Sequence, residues 1–179
     1  MKKYTVLLLC VLLAGCSQKP QQAVAPQPPP INEWSTFAQA TLPDVWIGGQ
    51  PSDAALSAFV DKGGTTVINL RTDEEMAFYP YYERALAARG LKYIRIPTNG
   101  HDLDAAKYTA LLEALKDHEG PVMLHCRSGK RATYLWAMRR IDKEGLSPEQ
   151  AVKWCDERHG KPWAEGAEIL YKFAENHPG

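Results

Sequence analysis

The chain has 179 residues, of which 45% are hydrophobic, and its 21 Lys and Arg residues balance 21 Asp and Glu residues. This length suffices for one domain with a sizeable core. The formal net charge of zero gives no indication of a nucleic-acid-binding or membrane-surface protein, so we expect no nucleic-acid partner.

A targeting segment begins the chain. Two lysines follow Met1, and the apolar run from Tyr4 to Leu13 is too short to span a bilayer. The letters LAGC at 13–16 resemble the lipobox of bacterial lipoproteins, in which the cysteine is lipidated and becomes the first mature residue. The resemblance implies a signal peptide over 1–15 and a membrane anchor at Cys16. The alternative is an ordinary secretory signal.

The residue after the lipobox and the composition of the next segment predict where the protein resides. Ser17 follows the cysteine, and by the same resemblance this favours the outer membrane, with the protein facing the periplasm. Residues 16–33 are rich in Pro and Gln and predict an extended, flexible tether. A catalytic domain is then expected over 34–179. In an oxidising compartment its two cysteines, Cys126 and Cys155, could form a disulfide if geometry allows.

The globular part alternates strand-like and helix-like segments. Short apolar or β-branched runs predict strands at 45–50, 65–70, 92–96 and 122–124. Helical periodicity with capping and stop residues predicts helices that begin near 51 and end near 63, and at 74–88, 104–118, 131–143, 147–158 and 164–175. This order predicts an α/β fold with a mostly parallel central sheet flanked by helices and a C-terminal helical group. Ligands of such sheets bind beyond the carboxyl ends of the strands.

The stretch HCRSGKRAT (125–133) lies where the last strand meets a helix. Its backbone amides from 127 to 132 and the positive end of the helix dipole can form an anion site, and Gly129 lets the backbone approach the anion. A cysteine at a helix N-terminus beside basic residues is favoured as a thiolate. Cys126 would then suit nucleophilic attack on a phosphoryl group or on sulfane sulfur. The alternative is a buried structural cysteine.

This stretch resembles the signature loop of cysteine-dependent, dual-specificity phosphatases. With VWIGGQPS, GGTTVINLRTDEE and LKYIRIP, residues 40–142 are similar to the phosphatase-like domain of bacterial beta-lactamase hydrolase-like proteins. The resemblance implies that Cys126 is the nucleophile, that Arg131 holds the oxygens of the anion and that His125 orients the loop. It implies no metal and no cofactor. It also implies that the remaining loop residues bind the substrate: Arg127, Ser128, Gly129, Lys130, Ala132 and Thr133.

The loop departs from the phosphatase pattern in its spacing. Four residues separate Cys126 from Arg131, where the usual loop has five, and a five-residue gap would place Ala132 in the arginine position. We interpret the loop as a short one with a functional Arg131. The hydroxyl side chain that usually follows the arginine is absent, because Ala132 occupies that position and Thr133 comes one residue later. The short loop also resembles that of rhodanese-type sulfurtransferases, whose cradle suits a persulfide.

The general acid is expected in the loop that follows Pro97. Asp102 is the best candidate, and His101 is the second because the ordinary pKa of histidine suits proton transfer. The alternative is that Asp102 or Asp104 caps the following helix.

Other polar residues carry weaker predictions. Arg71 could face the pocket or, as we expect, form an ion pair with Glu74 or Glu75. Cys155 is expected in helix packing, and both His159 and His177 at the surface. Nucleotide-binding motifs and paired CxxC motifs are absent from the sequence, so we expect neither a nucleotide cofactor nor zinc.

Three functions follow from these patterns. The first is a cell-envelope lipoprotein phosphatase that acts through a phosphocysteine on a phosphorylated small molecule or protein, such as one carrying phosphotyrosine or phosphoserine. The second is a sulfurtransferase that uses the same Cys126. The third is a non-catalytic protein that keeps the anion site, or only the fold, to bind a partner.

Overall fold

The computed structural model describes residues 32–116, 118–160 and 162–177. The predicted signal peptide, the lipidated Cys16 and the tether up to residue 31 lie outside the described residues. Asn32, the first described residue, donates its backbone N–H to the Gln50 carbonyl at 2.6 Å. Within the described ranges, every helix is too short or too polar to cross a membrane.

Five strands and seven helices form the described part, after a 3-10 turn at Trp34–Thr36. The strands are β1 (Ala38–Gln39), β2 (Val45–Gly48), β3 (Thr66–Asn69), β4 (Lys92–Arg95) and β5 (Val122–His125). The helices are α1 (Asp53–Asp61), α2 (Asp73–Met76), α3 (Tyr82–Ala87), α4 (Ala105–Lys116), α5 (Lys130–Glu144), α6 (Pro148–His159) and α7 (Ala164–Glu175).

The strands form one sheet in the order β1-β2-β5-β3-β4. The last four of these are parallel, which confirms the predicted mostly parallel sheet, while β1 pairs antiparallel with β2. The sequence did not predict β1, because it has two residues and both are exposed. Gly48 of β2 and Asn69 of β3 both pair with His125 of β5, so three strands end level at one edge.

Two hydrophobic clusters cover the two faces of the sheet. Because side chains alternate along a strand, Val67 and Met123 face α1 and α3, while Ile68 and Leu124 face the opposite side. That side carries α4 and the three C-terminal helices, which pack against one another as predicted. Burial on both faces explains why β3 and β5 are continuous apolar runs in the sequence.

The helix predicted over 74–88 is wrong, because two short helices occupy this segment. Pro80 lies between α2 and α3, and proline inside a helix lacks the N–H for the helical hydrogen bond and clashes with the preceding turn. The interruption leaves Phe78 and Tyr81 exposed, at 43% and 66% of their surface. A capping box at Thr72 and Glu75 fixes the start of α2.

Candidate active site

Cys126 lies directly after β5, at the edge where the parallel strands end. Its amide N–H donates to the Gly48 carbonyl of β2 at 3.3 Å, and its side chain is 1% exposed. Ser128 pairs with Gly49 in an isolated bridge. The predicted loop is therefore fixed along one side by β2, and it passes into α5 at Lys130.

The first turn of α5 supplies donors without acceptors. The Gly129 N–H donates to Cys126 Sγ at 3.2 Å, and Gly129 is the N-cap residue of α5, with no side chain to cap the helix. Among the described residues, the backbone N–H groups of Lys130, Arg131 and Ala132 have no hydrogen-bond acceptor, as is usual for an uncapped first turn. A helix N-terminus of this kind attracts an anion.

Gly129 is required by the geometry of the turn. Its φ of +91° lies in the left-handed region, which side chains rarely adopt. A Cβ atom at this position would lie 3.2 Å from the carbonyl carbon of Gly48. The glycine therefore allows the loop to turn directly against β2. This is a second requirement for glycine here, besides the close approach of an anion that the sequence predicts.

The Arg131 guanidinium is held at the ends of β3 and β4. Nη2 donates to both oxygens of the Glu75 carboxylate at 2.8 and 2.9 Å, and Nη1 donates to the carbonyls of Thr98 and Leu70. The side chains of this ion pair are only 12% and 22% exposed. These contacts occupy both terminal nitrogens, and among the described residues the Nε–H has no acceptor and remains for a ligand. Sequence reasoning did not find Glu75 as the partner of Arg131.

His125 is buried and neutral. Burial lowers its pKa to about 3, while its hydrogen bond to the Cys126 backbone opposes the shift. Nδ1 lies 3.4 Å from the Cys126 carbonyl and Nε2 lies 3.0 Å from the Tyr82 hydroxyl. Because the carbonyl can only accept, Nδ1 carries the proton and the hydroxyl donates to Nε2. His125 thus connects the backbone of Cys126 to α3.

The expected ion pair of Arg71 is wrong, since Arg131 takes the Glu75 carboxylate. Arg71 is fully buried and donates from Nη1 to Gln50 Oε1 at 2.7 Å and from Nη2 to the Glu75 carbonyl at 2.9 Å. Gln50, also fully buried, donates its backbone N–H to the Arg127 carbonyl at 3.1 Å. Sequence reasoning missed Gln50; its place directly after the Gly48-Gly49 strand end was the available signal.

The loop after Pro97 is organised by reciprocal hydrogen bonds between Asn99 and Asp102. The Asp102 carboxylate accepts from the backbone N–H and the side-chain amide of Asn99, at 2.6 and 3.1 Å. The helix cap is Asp104, which accepts from the Lys107 N–H at 3.0 Å. Capping by Asp104 leaves Asp102 half-buried in the turn, while His101 is exposed.

The remaining predicted binding residues have different surroundings. Arg127 and Ser128 are exposed, whereas Ala132 and Thr133 are buried. The Thr133 hydroxyl donates to the Gly129 carbonyl at 3.1 Å and lies 2.9 Å from His159 Nε2.

Two histidines predicted at the surface are instead half-buried. His159 contacts Thr133, and burial, with Lys130 and Arg158 as lesser causes, lowers the pKa of His159. His177 stacks on Phe173. His159 thus lies against α5, and His177 lies against α7 and Tyr108 of α4.

The two cysteines of the domain are both free and buried. Cys155 lies in the core between the C-terminal helices, as predicted, and burial raises its pKa. Within the described residues, His, Cys, Asp and Glu side chains form no group of three that could hold a metal.

An aromatic pocket of about 310 Å³ lies beside the loop. Its walls come from the 78–82 segment and from the start of α1, including Gln50 and Tyr82, which contact the loop through Arg127 and His125. Its lining residues are Gln50, Pro51, Ser52, Asp53, Leu56, Phe78, Tyr79, Pro80, Tyr81, Tyr82 and Ala85. Asp53 carries the one carboxyl group of this set, which contains no lysine or arginine.

Known sequences match the part of the chain that contains this loop. Residues 39–142 match the family that comprises the phosphatase-like domain of beta-lactamase hydrolase-like proteins. A beta-lactamase hydrolase-like protein of Xylella fastidiosa (strain 9a5c) is 34% identical over 117 residues, which are 64% of this chain and 27% of the relative. The chain thus spans about a quarter of that relative's length. The dual specificity protein phosphatase TpbA of Pseudomonas aeruginosa (strain UCBPP-PA14) is 24% identical over 157 residues, 83% of this chain and 69% of TpbA.

Solved structures establish the fold. A variant of Pseudomonas aeruginosa TpbA in complex with pTyr has a TM-score of 0.59 at 19% identity, covering 75% of this chain and 88% of that one. PTPMT1 in complex with PI(5)P has a TM-score of 0.58 at 20% identity, covering 74% and 90%. These matches confirm the predicted α/β architecture.

The neutral His125 makes stability depend on pH. Its pKa is about 3 when folded against an ordinary 6.5, so below pH 6.5 the unfolded chain binds a proton that the folded chain does not. Between about pH 7.5 and about pH 5, this side chain should therefore lower the free energy of unfolding by about 2 kcal/mol. Urea unfolding of wild type and His125→Gln at both pH values measures the difference. An equal pH dependence in both chains would contradict a neutral, buried His125.

Proposed function

We propose that this chain, which belongs to the family of the phosphatase-like domain of beta-lactamase hydrolase-like proteins, hydrolyses phosphate monoesters with Cys126 as the nucleophile. One observation carries the proposal: Cys126 Sγ accepts from the Gly129 N–H at 3.2 Å, beside a first helical turn whose amides have no acceptor. A thiolate held at a helix N-terminus can attack a phosphoryl group whose oxygens these amides bind.

The reaction proceeds in two displacements. Cys126 Sγ attacks phosphorus, the bond to the ester oxygen breaks, and the departing oxygen takes a proton from an acid. Water then gives a proton to the conjugate base of that acid and attacks the phosphocysteine, the S–P bond breaks, and phosphate leaves as the thiolate is restored. Arg131, fixed by Glu75, presents its remaining Nε–H toward the transferring group, while His125 and Thr133 hold the backbone of the loop.

Asp102 is the proposed acid. Its loop lies against the site, because the Thr98 carbonyl of the same segment accepts from Arg131. The hydrogen bonds from Asn99 hold the Asp102 carboxylate within a turn, so proton donation requires this turn to rearrange when substrate binds.

The aromatic pocket favours a substrate with a neutral aromatic portion. Phe78 and Tyr81 are exposed at the pocket, and an exposed aromatic cluster is a common ligand surface. Lysine and arginine are absent from its lining, which disfavours a polyphosphorylated group. Phosphotyrosine, the ligand of the TpbA variant, fits this chemistry better than a polyphosphorylated inositol, and phosphoserine offers no ring to the pocket.

The cellular setting is also proposed from the N-terminus. Cys16 would carry lipid in the outer membrane, and the tether would hold the domain in the periplasm. The Leu-Ala-Gly-Cys sequence at 13–16 supports this assignment.

Removing the nucleophile should abolish hydrolysis. In the reduced chain, we expect Cys126→Ser to lower hydrolysis of an aryl phosphate to background, and Arg131→Lys to lower kcat/KM about 100-fold because the guanidinium fork is lost. Arg139→Lys on the same helix is the matched control, since Arg139 pairs with Glu144 away from the loop. Hydrolysis that survives Cys126→Ser would refute the proposal. Sulfur transfer from thiosulfate to cyanide without phosphate hydrolysis would support the sulfurtransferase instead.

The general acid can be identified by comparing substrates whose leaving groups differ in their need for a proton. Asp102→Asn should reduce kcat at least about 100-fold for a phenyl phosphate and much less for p-nitrophenyl phosphate, whose leaving group needs no proton. Asp104→Asn is the control, because it removes the cap of α4 without removing an acid. An equal loss on both substrates would contradict the role, and a dependence seen only in His101→Gln would assign it to His101.

Lipidation is tested in the intact cell. We expect radiolabelled palmitate to enter the wild-type chain, and Cys16→Ala to remove both the label and the membrane association. A Cys16→Ala chain that still takes up label and stays in the membrane would refute the anchor.

A further inference from the structure

Arg71 is a fully buried cation without a carboxylate partner. Its guanidinium donates to the Gln50 side chain and to the Glu75 backbone carbonyl, and its central carbon lies 4.5 Å from the centre of the Tyr79 ring. Among the described residues, its Nε–H has no hydrogen-bond acceptor. A buried charge of this kind is unfavourable unless an anion compensates it.

The nearest carboxylate is already neutralised. Glu75 accepts from Arg131 with both oxygens and from the Thr72 N–H at 3.0 Å. Arg131 therefore takes this carboxylate, and the positive charge of Arg71 is left inside the protein without an anionic partner. His125 does not change this balance, because burial lowers its pKa to about 3 and keeps it neutral.

The backbone brings Arg71 and Cys126 to neighbouring strand ends. Asn69 of β3 pairs with His125 of β5, and the Leu70 N–H donates to the His125 carbonyl at 2.8 Å. Arg71 and Cys126 thus follow neighbouring strands at the same edge. Gln50 accepts from the Arg71 guanidinium and donates its backbone N–H to the Arg127 carbonyl, so one residue holds both the cation and the loop.

The other charges around the loop act more weakly. Arg127 is exposed, Lys130 lies over the Trp163 ring at 5.6 Å, and Arg131 is paired. Exposed charges are screened by water and salt, whereas a buried charge is screened much less. Within the described residues, Glu75 is the only carboxylate that is hydrogen-bonded to residues 125–131, through Arg131, and Arg71 contacts its backbone carbonyl alone.

We propose that Arg71 is a positioning residue of the site, whose unpaired charge keeps Cys126 a thiolate and offsets the negative charge of a bound phosphate group. Arg71 acts through space and does not touch the substrate. The inference rests on the proposed function, since it takes Cys126 as the nucleophile. Substrate or thiolate then supplies the anion that the buried guanidinium lacks.

The decisive variant is Gln50→Glu. It places a carboxylate where Gln50 Oε1 now lies 2.7 Å from Arg71 Nη1, and so neutralises Arg71 with almost no change of shape. Cys126 alkylation by iodoacetamide is followed against pH in the full chain, with the label located by peptide mass spectrometry. We expect the pH of half-maximal alkylation to rise by about one unit and the rate near pH 7 to fall about tenfold, with a thermal midpoint equal to or above wild type.

Arg71 variants complete the test. Arg71→Met should shift the alkylation midpoint in the same direction with lower thermal stability, and Arg71→Lys should retain most of the wild-type reactivity. Arg139→Met is the control, because Arg139 is also largely buried but pairs with Glu144. A merely structural Arg71 would lower stability and leave the midpoint unchanged.

The outcomes separate the two proposals. If folded Gln50→Glu is alkylated with the same pH midpoint as the wild type, the role of Arg71 is overturned. This variant gives the answer even if Arg71→Met does not fold. A shifted midpoint in a chain that hydrolyses no phosphate ester would support the role of Arg71 and refute the proposed function. Alkylation reads the thiolate directly, so it does not depend on turnover.

Discussion

The site depends on one short turn. The chain passes from the end of β5 at His125 to the start of α5 at Lys130, and Gly129 makes this possible with a left-handed backbone directly against β2. Because the helix begins so close to the strand, the Gly129 N–H reaches the Cys126 sulfur beside the uncapped first turn of α5. The fixed position of the loop follows from this junction of a strand end and a helix start, and so does the anion site that we propose.

The same junction determines how charge is distributed. A four-residue gap brings Arg131 to the ends of β3 and β4, where the Glu75 carboxylate pairs with it. Arg71, which would otherwise be the natural partner of that carboxylate, stays buried and unpaired. In the proposed account, this buried charge gives a positive potential at Cys126, which is how protein sites stabilise a bound anion.

Much of the fold could be predicted because its signals are local. The runs at β3 and β5 are apolar along their whole length, and the caps at Ser52 and Ser147 mark helix starts that the structure shows. The loop is contiguous in sequence, so its residues were found together. Residues contributed by distant elements were not found. Gln50 and Glu75 reach the loop only through tertiary contacts, and for Arg71 the nearby Glu75 predicted an ion pair that Arg131 forms instead.

The central claim is that Cys126 carries the phosphoryl group during turnover. The most direct measurement is mass spectrometry of the wild-type chain quenched in acid during hydrolysis of an aryl phosphate. The account predicts a peptide containing Cys126 that is heavier by one phosphoryl group and disappears once the substrate is consumed. Turnover without an adduct on Cys126, or with the adduct on another residue, would contradict the claim.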